Sequence, residues 1–170
     1  MKMAMNRERD TMHITHVRID DRLIHGQVAT LWANSLGINR IMVIDDIVAT
    51  NEVQKLALKL AVPKRISLSV FPVNLAAERL NQNLYISQRL MIIIRNPLNL
   101  LQLMKLGVQF DVVNIGVLSN RPRAEQINHD IYISDNEKDQ VKELLNLGVK
   151  VIYQAGPNSV ATDFLSLLGE

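Results

Sequence analysis

The run Leu90-Met-Ile-Ile-Ile94 is apolar at every position. A strand with one solvated face alternates polar and apolar residues. An unbroken run, closed by Arg95, Asn96 and Pro97, therefore marks a strand covered on both faces, as in a parallel sheet between two helical layers. Further Val/Ile-rich runs at 14–19, 40–45, 66–70, 110–115, around 126–133 and 150–154 read as companion strands. Helical stripes fall between them. Val28, Leu31 and Trp32 form one; Val53, Leu56, Ala57, Leu60 and Ala61 another, at i, i+3, i+4, i+7 and i+8; Val73, Ala76, Ala77 and Leu80 a third. Pro97 opens a fourth helix presenting Leu100, Leu103 and Met104 before Gly107. Asp135 caps a helix carrying Val141, Leu144 and Leu145, and Asn158 or Ser159 caps a last one presenting Val160, Phe164 and Leu168. The expected fold class is α/β: an open, twisted, mostly parallel sheet of about seven strands with helices on both faces. Segment 116–125 breaks the alternation and leads into a strand, which leaves room for one antiparallel edge strand.

The chain's 170 residues read as one domain, spanning 12–170, with 1–11 as a leader outside the fold. Apolar residues at 48% supply a core, and a net charge of +2 gives no footprint for a nucleic acid partner. The absence of cysteine removes thiol nucleophiles and Cys-based metal sites. No apolar run is long enough to cross a bilayer, and the charged opening lacks the apolar stretch of a secretion signal, so a cytoplasmic location is expected. His13, His16 and His129 lack the spacing of a helical metal pair, and no glycine pattern of a dinucleotide or P-loop site occurs. No metal and no cofactor are expected. Trp32 and the methionines read as core.

In open α/β sheets ligands gather at the carboxyl ends of the parallel strands. The first strand runs there into Asp20-Asp-Arg-Leu-Ile-His-Gly26, directly before a helical stripe. Backbone N–H groups at a helix mouth suit a phosphate, Gly26 offers no side chain to obstruct it, and Arg22 brings a planar fork of donors. A neutral imidazole at His25 keeps the lone pair that a phosphoryl acceptor needs. Spacing alone also permits a bland reading, with His25 an exposed or capping residue and Arg22 paired with Asp20 or Asp21.

The stretch Arg18-Ile-Asp-Asp-Arg-Leu-Ile-His-Gly-Gln-Val28 resembles the signature of the IIB component of the mannose/fructose/sorbose family of the bacterial phosphoenolpyruvate-dependent sugar phosphotransferase system. Val43-Ile-Asp-Asp-Ile-Val-Ala49, Asn114-Ile-Gly116 and Ser134-Asp-Asn-Glu-Lys-Asp139 extend the likeness over most of 12–170. The resemblance implies a protein-phosphohistidine–sugar phosphotransferase. In it His25 is phosphorylated at Nδ1 by the IIA component, and the phosphoryl group passes to a sugar entering through the IIC and IID membrane components. The membrane would be met only through those partners. Arg22 falls on the signature arginine and would hold the phosphoryl group, with Arg18 and Asp20 as further phosphate-site residues. Asp20 or Asp21 would orient Arg22 or cap the helix, and Asp46 reads as a helix or turn cap. Arg121 and Arg123 replace the family's usual glycine- and lysine-containing loop and would serve the phosphate, the IIA partner or neither. Other readings are a non-catalytic regulatory or scaffolding paralogue and a flavodoxin-like small-molecule binder.

Overall fold

Leu90–Ile94 is β4, and each of its residues is buried. Leu90, Ile92 and Ile94 belong to one apolar cluster and Met91 and Ile93 to another on the opposite face. The computed structural model describes residues 14–169, so the leader expected at 1–11 and His13 lie outside the described residues. In chain order the elements are β1 (Ile14–Asp20), α1 (Val28–Leu36), β2 (Arg40–Ile44), α2 (Asp46–Ala49), α3 (Glu52–Ala61), β3 (Ser67–Phe71), α4 (Val73–Asn81) and β4. There follow α5 (Pro97–Lys105), β5 (Val112–Val117), β6 (Glu125–Gln126), β7 (Tyr132–Ile133), α6 (Asp135–Asn146), β8 (Lys150–Tyr153), β9 (Thr162–Asp163) and α7 (Phe164–Leu168). The main sheet has seven strands in the order β3-β2-β4-β1-β5-β8-β9, all parallel except the β8–β9 pair.

Helices α4, α5, α6 and α7 pack through Ala76, Leu80, Leu100, Leu103, Val141, Leu144 and Phe164 on the face that carries Val17, Ile19, Val113, Ile115 and Val151. Trp32 and Ala33 of α1, Val48 of α2 and Leu58 of α3 cover the other face, over Ile41, Val43, Met91 and Ile93. The chain thus leaves β1 and β5, which are neighbours, toward opposite layers. Such a divergence opens a crevice at their carboxyl ends.

Several local expectations are corrected. The antiparallel edge strand is β9, and the segment expected near 126–133 instead forms a separate hairpin of β6 and β7. Ser134, not Asp135, caps α6, in a reciprocal box with Glu137. The last helix begins only at Phe164, capped by Asp163, and Val160 stays exposed. On α1, Leu31 points outward while Trp32 and Ala33 are buried. The stripe expected to seat α3 faces away from the core: Val53, Leu56 and Leu60 are 79%, 57% and 78% exposed, and the only buried residue of that helix is Leu58.

Candidate functional site

β1 alternates strictly over its second half. Val17 and Ile19 enter the core, and His16, Arg18 and Asp20 form a polar column on the other face. At its foot the His16 ring stacks on Trp32, with ring centroids 4.3 Å apart. Burial first, and the neighbouring Arg18 second, pull the His16 pKa down to about 4. Next along the column the Arg18 guanidinium sits 5.9 Å from the Trp32 ring and is 2% exposed. It fits there because β5 offers Gly116 opposite; a Cβ on Gly116 would overlap the guanidinium. Burial depresses the Arg18 pKa, and the Asp20 carboxylate works against that.

Asp20, itself 2% exposed, lies at the head of the column and organises the loop that follows. Its Oδ2 accepts from Arg18, while Arg22 donates from Nε to Oδ1 and from Nη2 to Oδ2, both at 3.0 Å. Oδ1 also accepts the Arg22 backbone N–H at 3.1 Å, and the Leu23 N–H closes onto the Asp20 carbonyl. Arg22 is therefore gripped along one edge, with its side chain 31% exposed and its remaining N–H donors left for another acceptor. The Asp20 hydrogen bonds raise the Arg22 pKa and keep the cation fixed. Of the two acids expected to orient Arg22, the structure selects Asp20. Asp21 turns instead to Ser119, accepting from its N–H and its hydroxyl.

Leu23 and Ile24 are buried in the α1-side cluster, whereas His25, Gly26 and Gln27 are exposed. Leu23 adopts φ +61° and Gly26 φ +53°, so the chain makes two left-handed steps between strand and helix. The inward pair holds the loop down and the imidazole is left outside. Two residues on, Gln27 stands at the N-cap of α1 without a side-chain cap bond, and the first turn from Val28 holds no acidic residue. By contrast α2, α3, α5, α6 and α7 are capped by Asp45, Asn51, Asn96, Ser134 and Asp163. The free amides and the positive end of the α1 dipole thus lie beside His25.

Sequence reasoning missed the groups that hold this loop from neighbouring strands. Arg95, following β4, donates to the Asp45 carboxylate at 2.7 Å and to the Asp21 carbonyl at 2.9 Å, tying the ends of β1, β2 and β4 together. The one available signal was its place at a strand's carboxyl end. Asp46 is a cap, as expected, but for a distant helix: it accepts the first N–H of α4, from Val73. Arg121 pairs with Glu137 of the α6 capping box, and Arg123 is an exposed turn residue at φ +64°. His129 is exposed beside Asp130. Among the described residues no group of three or more His, Asp or Glu is placed to hold a metal ion.

An α/β sheet with a histidine loop at the divergence of β1 and β5 defines a class of small carrier or binding domains. The comparisons narrow it. The family model for the sorbose subfamily IIB component of the phosphotransferase system matches residues 14–170, and the chain belongs to that family of sugar-specific phosphotransferase components. The sorbose-specific EIIB component of Klebsiella pneumoniae is 30% identical over 94% of this chain and 97% of that one. The crystal structure of the IIB domain of the sorbose permease from Klebsiella pneumoniae superposes with a TM-score of 0.88 at 30% identity, covering 93% of this chain and 97% of that one. The mannose-specific EIIAB component of Escherichia coli K12 is 33% identical over 84% of this chain, which spans 44% of that longer protein. No helix among the described residues is long and apolar enough to cross a membrane.

Proposed function

We propose that this chain is a cytoplasmic phosphoryl carrier that takes the group from a IIA component onto His25 and delivers it to a sugar entering through IIC and IID membrane components. The observation that carries the reading is the exposed His25 imidazole at the uncapped start of α1, with Arg22, three residues earlier on the same loop, fixed by the buried Asp20. In the first transfer a lone pair on the His25 ring attacks the phosphorus of the donor's phosphohistidine. The donor P–N bond breaks as the new one forms, and the electron pair returns to the donor imidazole. In the second, a sugar hydroxyl oxygen attacks the same phosphorus, loses its proton, and His25 is restored. Such transfers are governed by positioning and charge stabilisation, which the Arg22 donors and the α1 amides supply. Arg18 and Asp20 serve the phosphate indirectly. Arg18 is too deeply buried to reach a surface ligand; it donates to Asp20, and Asp20 holds Arg22 in place. The fusion of IIA and IIB named in the Escherichia coli mannose protein supports a IIA donor here.

The test is phosphorylation from labelled phosphoenolpyruvate through the general phosphotransferase proteins and a matching IIA. An acid-labile phosphate on the wild type, absent from His25→Ala and slowed about a hundredfold in Arg22→Ala, is expected. Label that persists in His25→Ala overturns the assignment. Binding to membranes holding IIC and IID without sugar phosphate formation favours the scaffolding alternative.

A further inference from the structure

Helix α3 is amphipathic in the wrong direction for a core helix. Val53, Leu56, Ala57, Leu60 and Ala61 lie on one exposed face, and Ile47 of the preceding helix is 72% exposed as well. Between α3 and β3 runs a groove of about 730 Å³, floored by Val62, Ile66, Leu68 and Val70 and walled by Lys55, Lys59 and Lys64. Segment 52–65 holds Lys55, Lys59, Lys64 and Arg65 against Glu52 alone, a net of 4 − 1 = +3, more than the whole chain's +2. Lys55 is paired with Glu52, whereas Lys59, Lys64 and Arg65 have no ion pair among the described residues.

We propose that the outward face of α3 is a docking surface for an anionic phospholipid bilayer. Val53, Leu56 and Leu60 enter the boundary between headgroups and acyl chains, and Lys59 and Lys64 meet the lipid phosphates. An apolar stripe bordered by flexible cations is the pattern of a helix lying in a membrane interface, because lysine stems lie along apolar surface while their charges reach outward. Charge decides between occupants. A second copy of this chain, packed face to face, would set the same cations against each other, whereas an anionic surface neutralises them. This contact adds to the partner-mediated approach to the membrane and needs no step of the phosphotransfer reading.

Flotation of the full chain with vesicles tests it. Binding to phosphatidylcholine mixed with phosphatidylglycerol, but not to phosphatidylcholine alone, is expected, and salt weakens it. Two double variants, Leu56→Ser with Leu60→Ser and Lys59→Glu with Lys64→Glu, should each lower partition by about tenfold or more without lowering the melting temperature. Three results overturn the proposal: no binding to anionic vesicles, binding indifferent to both variants, or a lipid-free dimer that the leucine variant dissociates. Loss of His25 phosphorylation with intact flotation counts against the carrier reading alone.

Discussion

At the scale of single residues, the β1 column links the foot of the sheet to the loop at its head through side chains seldom buried. His16 carries a consequence for stability. Its folded pKa is about 4, against 6.5 for the free side chain. Above pH 6.5 both states leave it neutral. As pH falls from about 6.5 toward 4, the unfolded chain binds a proton that the folded chain refuses, so stability declines, by about 2 kcal/mol at pH 5. Denaturant unfolding at pH 7 and pH 5 should show this loss in the wild type and a smaller one in His16→Phe, which keeps a ring against Trp32; equal losses would discount the buried imidazole. Much of the column was legible. The alternation His16-Val-Arg-Ile-Asp20 is written in the chain, and the resemblance singled out Arg18, Asp20, Arg22 and His25, taking in Gly116 only as the end of the matching piece Asn114-Ile-Gly116. What no linear pattern supplies is the contact between Arg18 and Gly116, which arises only when β1 and β5 pair.

At the scale of elements, the unbroken run of β4 was the most dependable signal, because burial on both faces leaves little choice of residue. Helical periodicity located α3 but misjudged its direction, since a period reports that a stripe exists and not what covers it. The last helix was placed too early for a related reason. Val160 matches the period, yet Asp163 supplies the cap and Thr162–Asp163 is taken by pairing with β8. Stability of α3 should follow its packing and not its composition. Leu58→Ala should cost about 2–3 kcal/mol, while Leu56→Ala should cost less than about 1 kcal/mol. Thermal or denaturant unfolding of the two variants checks this, and equal costs would contradict the outward orientation.

At the scale of the whole molecule, the loop bearing His25 is bound to several strand ends at once. Arg95 joins it to β2 and β4, and Asp21 joins it through Ser119 to the chain beyond β5. These ties come from segments far apart in sequence, which is why the resemblance found the loop but not its moorings. Arg95→Met should slow phosphoryl acceptance by about tenfold, an effect of lost orientation, while the wild-type sheet survives. Label transfer followed alongside circular dichroism separates the two effects. An unchanged rate would show that Leu23 and Ile24 suffice.

The inward Leu23 and Ile24 leave the loop tip bare, with nothing among the described residues folded over His25. On the proposed carrier reading, a phosphorus–nitrogen bond at that tip would be a perishable cargo: water would have the same access to it as the next recipient. Economy in such a relay then depends on brief waiting between handovers, and a nearby lipid surface that holds the courier beside its destination shortens the wait.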